Sequence, residues 1–274
     1  MDAFRRQAYR RRVVSIDGKS LRGSRGAGSK SIVHMVSAWA SENGMVLGQL
    51  KVSDKSNEIA AIPELLKLLA VKGCIVTIDA IGCQKDIASA IIGKEADYIL
   101  SLKENQGNLY QQAKDSFRFL DAASVSEDVD CGHGRVETRV CSAIDDLSMI
   151  RCGKGWENLR SLVRVDAERY IKATGESEKE TRFYISSLPA DAALLNRSIR
   201  SHWKIENSLH WVLDVAFNED HSRKRAGHAA QNFSVISRIA LNLLKNETAS
   251  KRGIKGKRLK AGWDDKYLVK ILDI

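Results

Sequence analysis

Short apolar runs in the first hundred residues predict the strands of a sheet. The runs VVSID (13–17), CIVTID (74–79) and DYILSLK (97–103) are rich in β-branched residues and have the length of buried strands. Two more apolar segments, IVHMVSAWA (32–40) and MVLGQLKV (45–52), flank a turn-like SENG sequence. This arrangement predicts an antiparallel hairpin.

Segments with helical spacing alternate with these strands. In SNEIAAIPELLKLLAVKG (56–73) the apolar positions recur every three or four residues, and a glycine ends the segment. The segments QKDIASAII (84–92) and NLYQQAKDSFRFL (108–120) predict two further helices. The alternation is typical of an α/β protein with a mixed sheet flanked by helices. In that sheet, strand 13–17 is expected to run antiparallel to the hairpin and parallel to the later strands.

The pattern changes after residue 120. Short β-like pieces joined by polar turns predict a β-rich insertion, after which helical spacing returns and breaks near NEDHSRKRAG. The last residues are basic and then mixed, and they end in an amphipathic turn. We therefore divide the chain into a basic arm (1–12), the first part of a core (13–120), the insertion (121–189), the C-terminal core helices (190–246) and a basic tail (247–274).

The positive charge of the chain lies at its two ends. Lys and Arg number 44 against 34 Asp and Glu, which gives a formal charge of +10. Residues 1–12 contain five arginines and one aspartate, and residues 245–260 contain seven basic residues and one glutamate. These two stretches account for the whole excess. Such a distribution favours an acidic partner, nucleic acid above all.

The sequence indicates neither a membrane span nor a disulfide framework. It contains no apolar run of about 18 residues, and no apolar stretch follows the arginine-rich start as it would in a signal peptide. Its five cysteines include no C-x-x-C pair, which favours reduced thiols over disulfides or a structural zinc site. We expect a cytoplasmic protein with no membrane partner.

Two of the predicted strands end in a carboxylate, Asp17 and Asp79. If these strands are parallel neighbours, both side chains reach one site at the same edge of the sheet. Adjacent carboxylates repel unless a proton or cation lies between them, and oxygen ligands favour Mg²⁺ or Mn²⁺. On composition alone, however, two such aspartates are more typical of strand ends that merely start a loop or cap a helix.

A third acidic residue lies in the predicted C-terminal helices. His202, Glu206, His210 and Asp214 are spaced four apart and form a polar stripe on an otherwise apolar helix. We predict Glu206 as the third oxygen ligand, although the two histidines also fit hydrogen-bonded core positions. The zinc motif H-E-x-x-H is absent, because its glutamate would directly follow the first histidine.

Basic residues follow these carboxylates and suit a phosphate substrate. Lys19 and Arg22 come shortly after Asp17, and Arg223 and Arg225 follow the helix that bears Glu206. Each cluster alone is also typical of a solvated loop. The nearby GSRGAGSKS sequence lacks the lysine position of a phosphate-binding P-loop, so we do not predict nucleotide binding.

Several motifs, in order, resemble the H-repeat-associated family of bacterial insertion-sequence transposases. The resemblance runs over nearly the whole chain, from about Val13 to the KAGWDDKYL sequence near the C-terminus. The motifs are IDGKSLRGS (16–24), TIDAIGCQKDIA (77–88), YILSLKENQGNL (98–109), GHGRVETR (132–139) and RSHWKIENSLHWVLDVAFNEDHSRKRAGHAAQN (200–232) with ALNLLK (240–245).

The resemblance implies a ribonuclease H-like core with a DDE triad. By motif, the triad is Asp17 of IDGK, Asp79 of TIDA and Glu206 of HWKIEN. Such enzymes cleave double-stranded DNA and transfer strands with Mg²⁺ or Mn²⁺, here expected as two ions. Asp17 would bridge both ions, while the other two residues would hold one each.

The resemblance also implies a place for the insertion in the fold and a set of binding partners. In these enzymes the β-rich segment before the last acidic residue is an insertion into the fold, which matches residues 121–189. His133, Arg135 and Arg139 of the GHGRVETR motif are then expected to contact DNA or the active site. The expected partners are the insertion-sequence ends, target DNA and a second copy of the chain in a homodimer.

Family members carry a helical region before the IDGK motif, whereas only fifteen residues precede Ile16 here. We therefore expect a truncated copy. Two alternatives to a transposase remain open: a structure-selective nuclease of the same fold, and a non-catalytic DNA-binding remnant.

Overall fold

The computed structural model describes residues 12–25, 32–53, 57–132 and 134–272. It divides into two compact units. Unit 1 comprises Met1–Val13 and Ala70–Ser201, and unit 2 comprises Val14–Leu69 and His202–Ile274.

The sheet of unit 2 is a three-stranded antiparallel arrangement. Strand β2 lies between β1 and β3 and pairs antiparallel with both, as the hairpin pattern predicted. Asp17 lies opposite Ser37 in the β1–β2 register. The strands are β1 (Val13–Ser20), β2 (His34–Ala40) and β3 (Met45–Lys51).

Helix α1 (Glu58–Leu68) has the amphipathic pattern expected from the sequence. The side chain of Asn57 caps its first turn by accepting a hydrogen bond from Ala60 N at 3.3 Å. Its inward residues are buried and apolar, and they are Ala61, Ile62, Leu65 and Leu66. Burial of this face, more than helix propensity, stabilises such a short helix.

The C-terminal part of unit 2 is helical and begins with an irregular turn. Residues Glu206–His210 form a π-helix. The regular helices that follow are α5 (Trp211–Phe217), α6 (Ala229–Asn246), α7 (Ile254–Ala261) and α8 (Asp265–Leu272). Their shared core with the sheet is apolar and consists of Trp39, Ile205, Leu209, Leu213 and Leu241. Two helices thus occupy the basic tail, where the sequence pattern predicted only one amphipathic turn.

Unit 1 contains a mixed sheet in the order β4-β5-β9-β8-β7-β6. Strands β4 and β5 are parallel, and the remaining neighbours are antiparallel. The strands are β4 (Ile75–Ile78), β5 (Asp97–Leu102), β6 (Ser124–Gly132), β7 (Arg135–Ile144), β8 (Ser161–Ile171) and β9 (Glu176–Ser186). The helices are α2 (Lys85–Ile92), α3 (Gly107–Phe119) and α4 (Ala192–His202).

The β-rich stretch predicted after residue 120 forms the long antiparallel strands β6 to β9. Only the half of these strands nearest β5 contributes buried apolar side chains, including Cys141, Val163 and Tyr184. The other half is half-buried or exposed, and β6 has no buried residue. The sequence of β6 is polar and has no alternating apolar pattern, because an exposed strand needs no apolar face. The sequence pattern therefore did not predict this strand.

Candidate active site

Asp17 lies where strand β1 leaves the core of unit 2. The preceding Val14–Ile16 segment is buried, whereas Asp17 is half-buried. Its Oδ1 atom accepts a hydrogen bond from Gly18 N at 2.9 Å. Its Oδ2 atom lies 3.5 Å from Nδ1 of His210. The carboxylate thus lies beside the π-helix of the same unit.

Glu206 begins that π-helix. The amide of Trp211 donates to the carbonyl of Glu206, which is the five-residue spacing of a π turn. Glu206 itself is exposed, and Leu209 in the same turn is buried in the apolar core. π turns inside helices are rare and are frequent at functional sites. Unit 2 therefore brings Asp17 together with the turn that Glu206 starts.

His210 contacts Asp17 as a neutral imidazole. Burial lowers the pKa of His210 to about 3, and the positive charges of Arg238 and Lys19 contribute to that shift. Its Nε2 atom is buried and has no hydrogen-bond partner among the residues that the structure describes. The 3.5 Å separation from Asp17 is a contact rather than a well-formed hydrogen bond.

Lys19 points toward two carboxylates of unit 2. Its Nζ atom lies 2.8 Å from Asp214 Oδ2 and 3.3 Å from Asp220 Oδ1, and its side chain is only 10% exposed. Arg22 lies 3.5 Å from the other oxygen of Asp220 but is 81% exposed. Of these two predicted DNA contacts, Arg22 presents its charge to solvent and Lys19 is occupied within the protein.

A buried ion pair supports the same region of unit 2. Nη1 of Arg238 donates to Glu219 Oε1 at 2.7 Å, and Ser234 Oγ donates to the same oxygen at 3.0 Å. Nε of Arg238 donates to Ser37 Oγ at 3.3 Å. Because Ser37 is paired with Asp17 across the strands, this guanidinium is anchored directly across the ladder from the candidate carboxylate.

Asp79 follows strand β4 in unit 1 and organises the loop after it. Its Oδ1 atom accepts hydrogen bonds from Ile81 N at 3.2 Å and Gly82 N at 3.4 Å, as in an Asx turn. Cys83 of this loop is buried, and burial together with the charge of Asp79 raises the pKa of its thiol to about 12.

Two amide side chains that the sequence pattern did not single out hold the Asp79 loop in place. Asn105 Nδ2 donates to the carbonyl of Ala80 at 2.6 Å, and Gln106 Nε2 donates to the carbonyl of Cys83 at 2.9 Å. Their only sequence signal was their place in the YILSLKENQGNL motif. They fix the backbone on both sides of the turn that Asp79 starts.

The other predicted DNA contacts differ in how accessible they are. Arg135 is exposed at the start of β7, whereas Arg139 is half-buried and donates from Nε to Glu137 at 2.8 Å. His133 lies outside the described residues. Arg223 and Arg225 are exposed in the loop after α5, and Arg225 Nε donates to the carbonyl of Gly23 at 2.9 Å.

The three predicted ligands are all carboxylates, a donor set suited to Mg²⁺ or Mn²⁺ and unsuited to soft metals. In the ranges that the structure describes, no group of three or more His, Cys, Asp or Glu side chains is placed so that it could hold a metal ion. Asp17 and Glu206 belong to unit 2, and Asp79 belongs to unit 1.

The Transposase DDE domain family matches residues 8–243. The chain belongs to this family. YncI of Escherichia coli O157:H7 is 44% identical over 268 residues, which cover 95% of this chain and 68% of that protein. The H repeat-associated protein YhhI of Escherichia coli strain K12 is 41% identical over 273 residues, which cover 95% of this chain and 71% of YhhI. Both relatives carry transposase names, and the resemblance predicted from the motifs is confirmed.

A solved transposase structure shares the fold of this DDE family member. The piggyBac transposase synaptic complex with hairpin DNA aligns with a TM-score of 0.54 at 13% identity. The alignment covers 96% of this chain and 54% of that one, so the chain spans about half the length of piggyBac transposase. The predicted ribonuclease H-like α/β fold is confirmed. Among the helices of the described residues, none combines the length and apolar character that crossing a membrane requires.

Proposed function

We propose that this chain is a DDE transposase that cleaves double-stranded DNA and transfers strands of an insertion sequence. Asp17, Asp79 and Glu206 are its catalytic carboxylates. The observation that carries the proposal is the contact of Asp17 with His210, at the end of the π turn that Glu206 begins. Membership of the transposase DDE domain family supports it.

The three carboxylates would hold Mg²⁺ or Mn²⁺, in two ions. When bound, such ions activate the attacking water or 3′-hydroxyl and stabilise the leaving oxygen of the phosphodiester. The protein's own residues prepare the site. Neutral His210 packs against Asp17 without adding positive charge, and Asn105 and Gln106 hold the turn of Asp79.

DNA is the proposed partner, and the basic residues of unit 2 form its first candidate surface. Arg22, Arg223 and Arg225 are exposed, and Arg225 bonds the backbone beside Arg22 at Gly23. We call these three arginines the basic rim. Because these side chains are exposed, their guanidinium groups can contact phosphates from the solvent side of unit 2. The structurally similar piggyBac transposase is a synaptic complex with hairpin DNA, which supports DNA as the partner of this chain.

The proposal also covers the DNA contacts of unit 1, the oligomeric state and the location of the protein. Arg135 of unit 1 is exposed and suits a DNA contact, and His133 and Arg139 stay predictions as DNA contacts. A homodimer is proposed for the active form. The cytoplasm is the proposed location.

A plasmid assay tests the proposal. Supercoiled DNA is incubated with the wild-type chain and with Mg²⁺, Mn²⁺ or a chelator, and relaxed and linear products are measured. We expect metal-dependent nicking that is lost in Asp17→Asn, Asp79→Asn and Glu206→Gln. Glu64→Gln is the matched control, because Glu64 is exposed and pairs only with Lys67 on the surface of helix α1 among the ion pairs described.

The products separate a transposase from its two alternatives. Joining of a labelled 3′-hydroxyl end to target DNA supports strand transfer. Metal-dependent nicking without any joined product supports a nuclease of the same fold. Retention of DNA at low salt, with no metal-dependent nicking under any condition, supports a DNA-binding protein without catalysis and contradicts the proposal.

A further inference from the structure

Lys19 shares a sheet face with Asp17. Side chains two residues apart on a strand point to the same side, so both residues face the helices of unit 2. The ammonium group is nearly buried and lies within 3.3 Å of oxygens of both Asp214 and Asp220. A lysine that is desolvated and paired twice is held in one position, unlike a lysine on a solvated loop.

Asp214 connects this lysine to the helix of Glu206. It lies on α5, which continues directly from the π-helix Glu206–His210. The 2.8 Å pair between Lys19 and Asp214 therefore ties the strand of one proposed metal ligand to the helix of another. The two partners are 195 positions apart in sequence, so the pair joins segments that are distant along the chain.

Asp220 provides a second anchor for the same lysine. It follows Glu219, whose carboxylate is held by buried Arg238 at 2.7 Å. The loop backbone at Asp220 also lies close to Gly23, where a Cβ atom would come within 2.9 Å of the Asp220 carbonyl. The Asp220 carboxylate is thus presented to Lys19 by a loop that the Arg238–Glu219 pair holds and that packs closely against Gly23.

We propose that Lys19 is a positioning residue that sets the separation of Asp17 and Glu206 through Asp214 and Asp220. This inference rests on the proposed function, because it takes Asp17 and Glu206 as metal ligands. It gives Lys19 a role toward the protein's own carboxylates, in place of the DNA contact expected from the sequence.

Binding of Mn²⁺ to the DNA-free chain tests the inference, and the sign of the effect decides it. If Lys19 acted only through its charge, Lys19→Met would leave the site more negative and Mn²⁺ would bind more tightly. If Lys19 positions the ligands, Mn²⁺ binds more weakly, by about 10- to 100-fold as for other residues that support metal ligands. Electron paramagnetic resonance of free Mn²⁺ measures the affinity directly.

Further variants keep the test decisive if Lys19→Met unfolds. Asp214→Asn preserves shape and removes the ion pair, and we expect weaker Mn²⁺ binding. Because Asp214→Asn also removes a negative charge, the double variant with Lys19→Met decides between charge and position: it removes one charge of each sign, so charge alone predicts wild-type affinity and positioning predicts weaker binding. The double variant should bind Mn²⁺ no more weakly than the worse single variant, since both remove one interaction. Lys19→Arg should recover part of the affinity. Lys67→Met is the control, because it removes a lysine of an exposed ion pair in unit 2.

Three outcomes overturn the inference: unchanged or tighter Mn²⁺ binding in the folded Lys19→Met and Asp214→Asn variants, additive losses in the double variant, or weaker DNA binding with normal Mn²⁺ affinity. The last result would make Lys19 a DNA ligand. Failure of the proposed function is distinguished by Asp17→Asn, which would then bind Mn²⁺ and nick DNA like the wild type.

Discussion

Arg238 Nη1 lies 2.7 Å from Glu219 Oε1, in an ion pair whose side chains are 2% and 6% exposed. Both charged groups are buried, Arg238 on helix α6 and Glu219 in the loop after α5, and Ser37 and Ser234 take part in further hydrogen bonds with them. A buried charge without its partner costs far more than a surface charge, since the desolvation is no longer offset. The pair therefore holds the loop that carries Asp220.

Replacing one partner of this pair should destabilise the chain strongly. We expect Arg238→Met to lower the free energy of unfolding by about 3–5 kcal/mol, because Glu219 is left buried and unpaired. The double replacement with Glu219→Met should recover part of that loss. Urea unfolding followed by circular dichroism measures both, and a loss below about 1 kcal/mol for Arg238→Met would contradict this view of the pair.

The π turn at Glu206 predicts that one deletion will lower the nicking activity while the chain still folds. Deletion of Asn207, which is exposed, removes one residue of the turn and allows a regular α-helix. This change removes the widened turn and alters the placement of Glu206 relative to His210 and Asp17. We expect nicking to fall by about 100-fold or more, with helix content retained in circular dichroism. A folded deletion variant with wild-type nicking would show that the π turn has no catalytic role.

The basic rim predicts a salt dependence of DNA binding. Each phosphate contact contributes about 0.9 to the slope of log affinity against log salt for duplex DNA. Substituting Arg22, Arg223 and Arg225 by alanine should therefore lower the slope by about 2–3. Fluorescence anisotropy at several salt concentrations gives the slope. Arg118→Ala, which removes an exposed arginine of helix α3, serves as the comparison; equal slopes in both variants would exclude the rim as the DNA surface.

Because the pKa of Lys245 is lowered in the folded chain, we expect the stability of the chain to depend on pH. Its ammonium donates to the Ser208 carbonyl at 3.0 Å and lies 4.1 Å from the Trp39 ring, and burial lowers its pKa from 10.5 to about 8. Between those pH values the unfolded chain binds the proton more readily, so stability falls as the pH drops from 10.5 to 8. Below pH 8 the contribution is constant.

Lys245→Gln tests this dependence, because glutamine keeps a donor near Ser208 and cannot titrate. The unfolding free energy of the wild type should rise relative to that of the variant between pH 8 and pH 10. Parallel curves for the two proteins across this range would show that the pKa of Lys245 is not lowered in the folded state.

Much of the fold was predictable because burial leaves a local pattern. Strands β1, β4 and β5 are apolar runs, and helix α1 has its apolar residues at helical spacing. Strand β6 lacked such a pattern, since its pairing with β7 stabilises a segment that has no buried face. The helices of the tail were also missed, because Tyr267 and Ile271 become buried only against distant residues such as Leu244.

The candidate site was predictable as a set of acidic residues but not as a set of contacts. Asp17 and Glu206 follow from strand ends and helical spacing. The pairing of Lys19 with Asp214 does not, since it joins residues 195 positions apart. The four-residue spacing after Glu206 also suggested a regular α-helix, whereas Glu206–His210 is a π turn. The spacing of residues along the chain predicts neither the Lys19–Asp214 pair nor the π turn.

The rate of metal-dependent nicking in the three carboxylate variants tests whether Asp17, Asp79 and Glu206 form one catalytic metal site. Measured at saturating enzyme with Mg²⁺ and supercoiled DNA, Asp17→Asn, Asp79→Asn and Glu206→Gln should each nick at least about 100-fold more slowly than the wild type, because each loses a ligand oxygen of the proposed metal site. Glu64→Gln should match the wild type. If any one of the three folded variants nicks DNA within about threefold of the wild-type rate, that residue does not belong to the catalytic set.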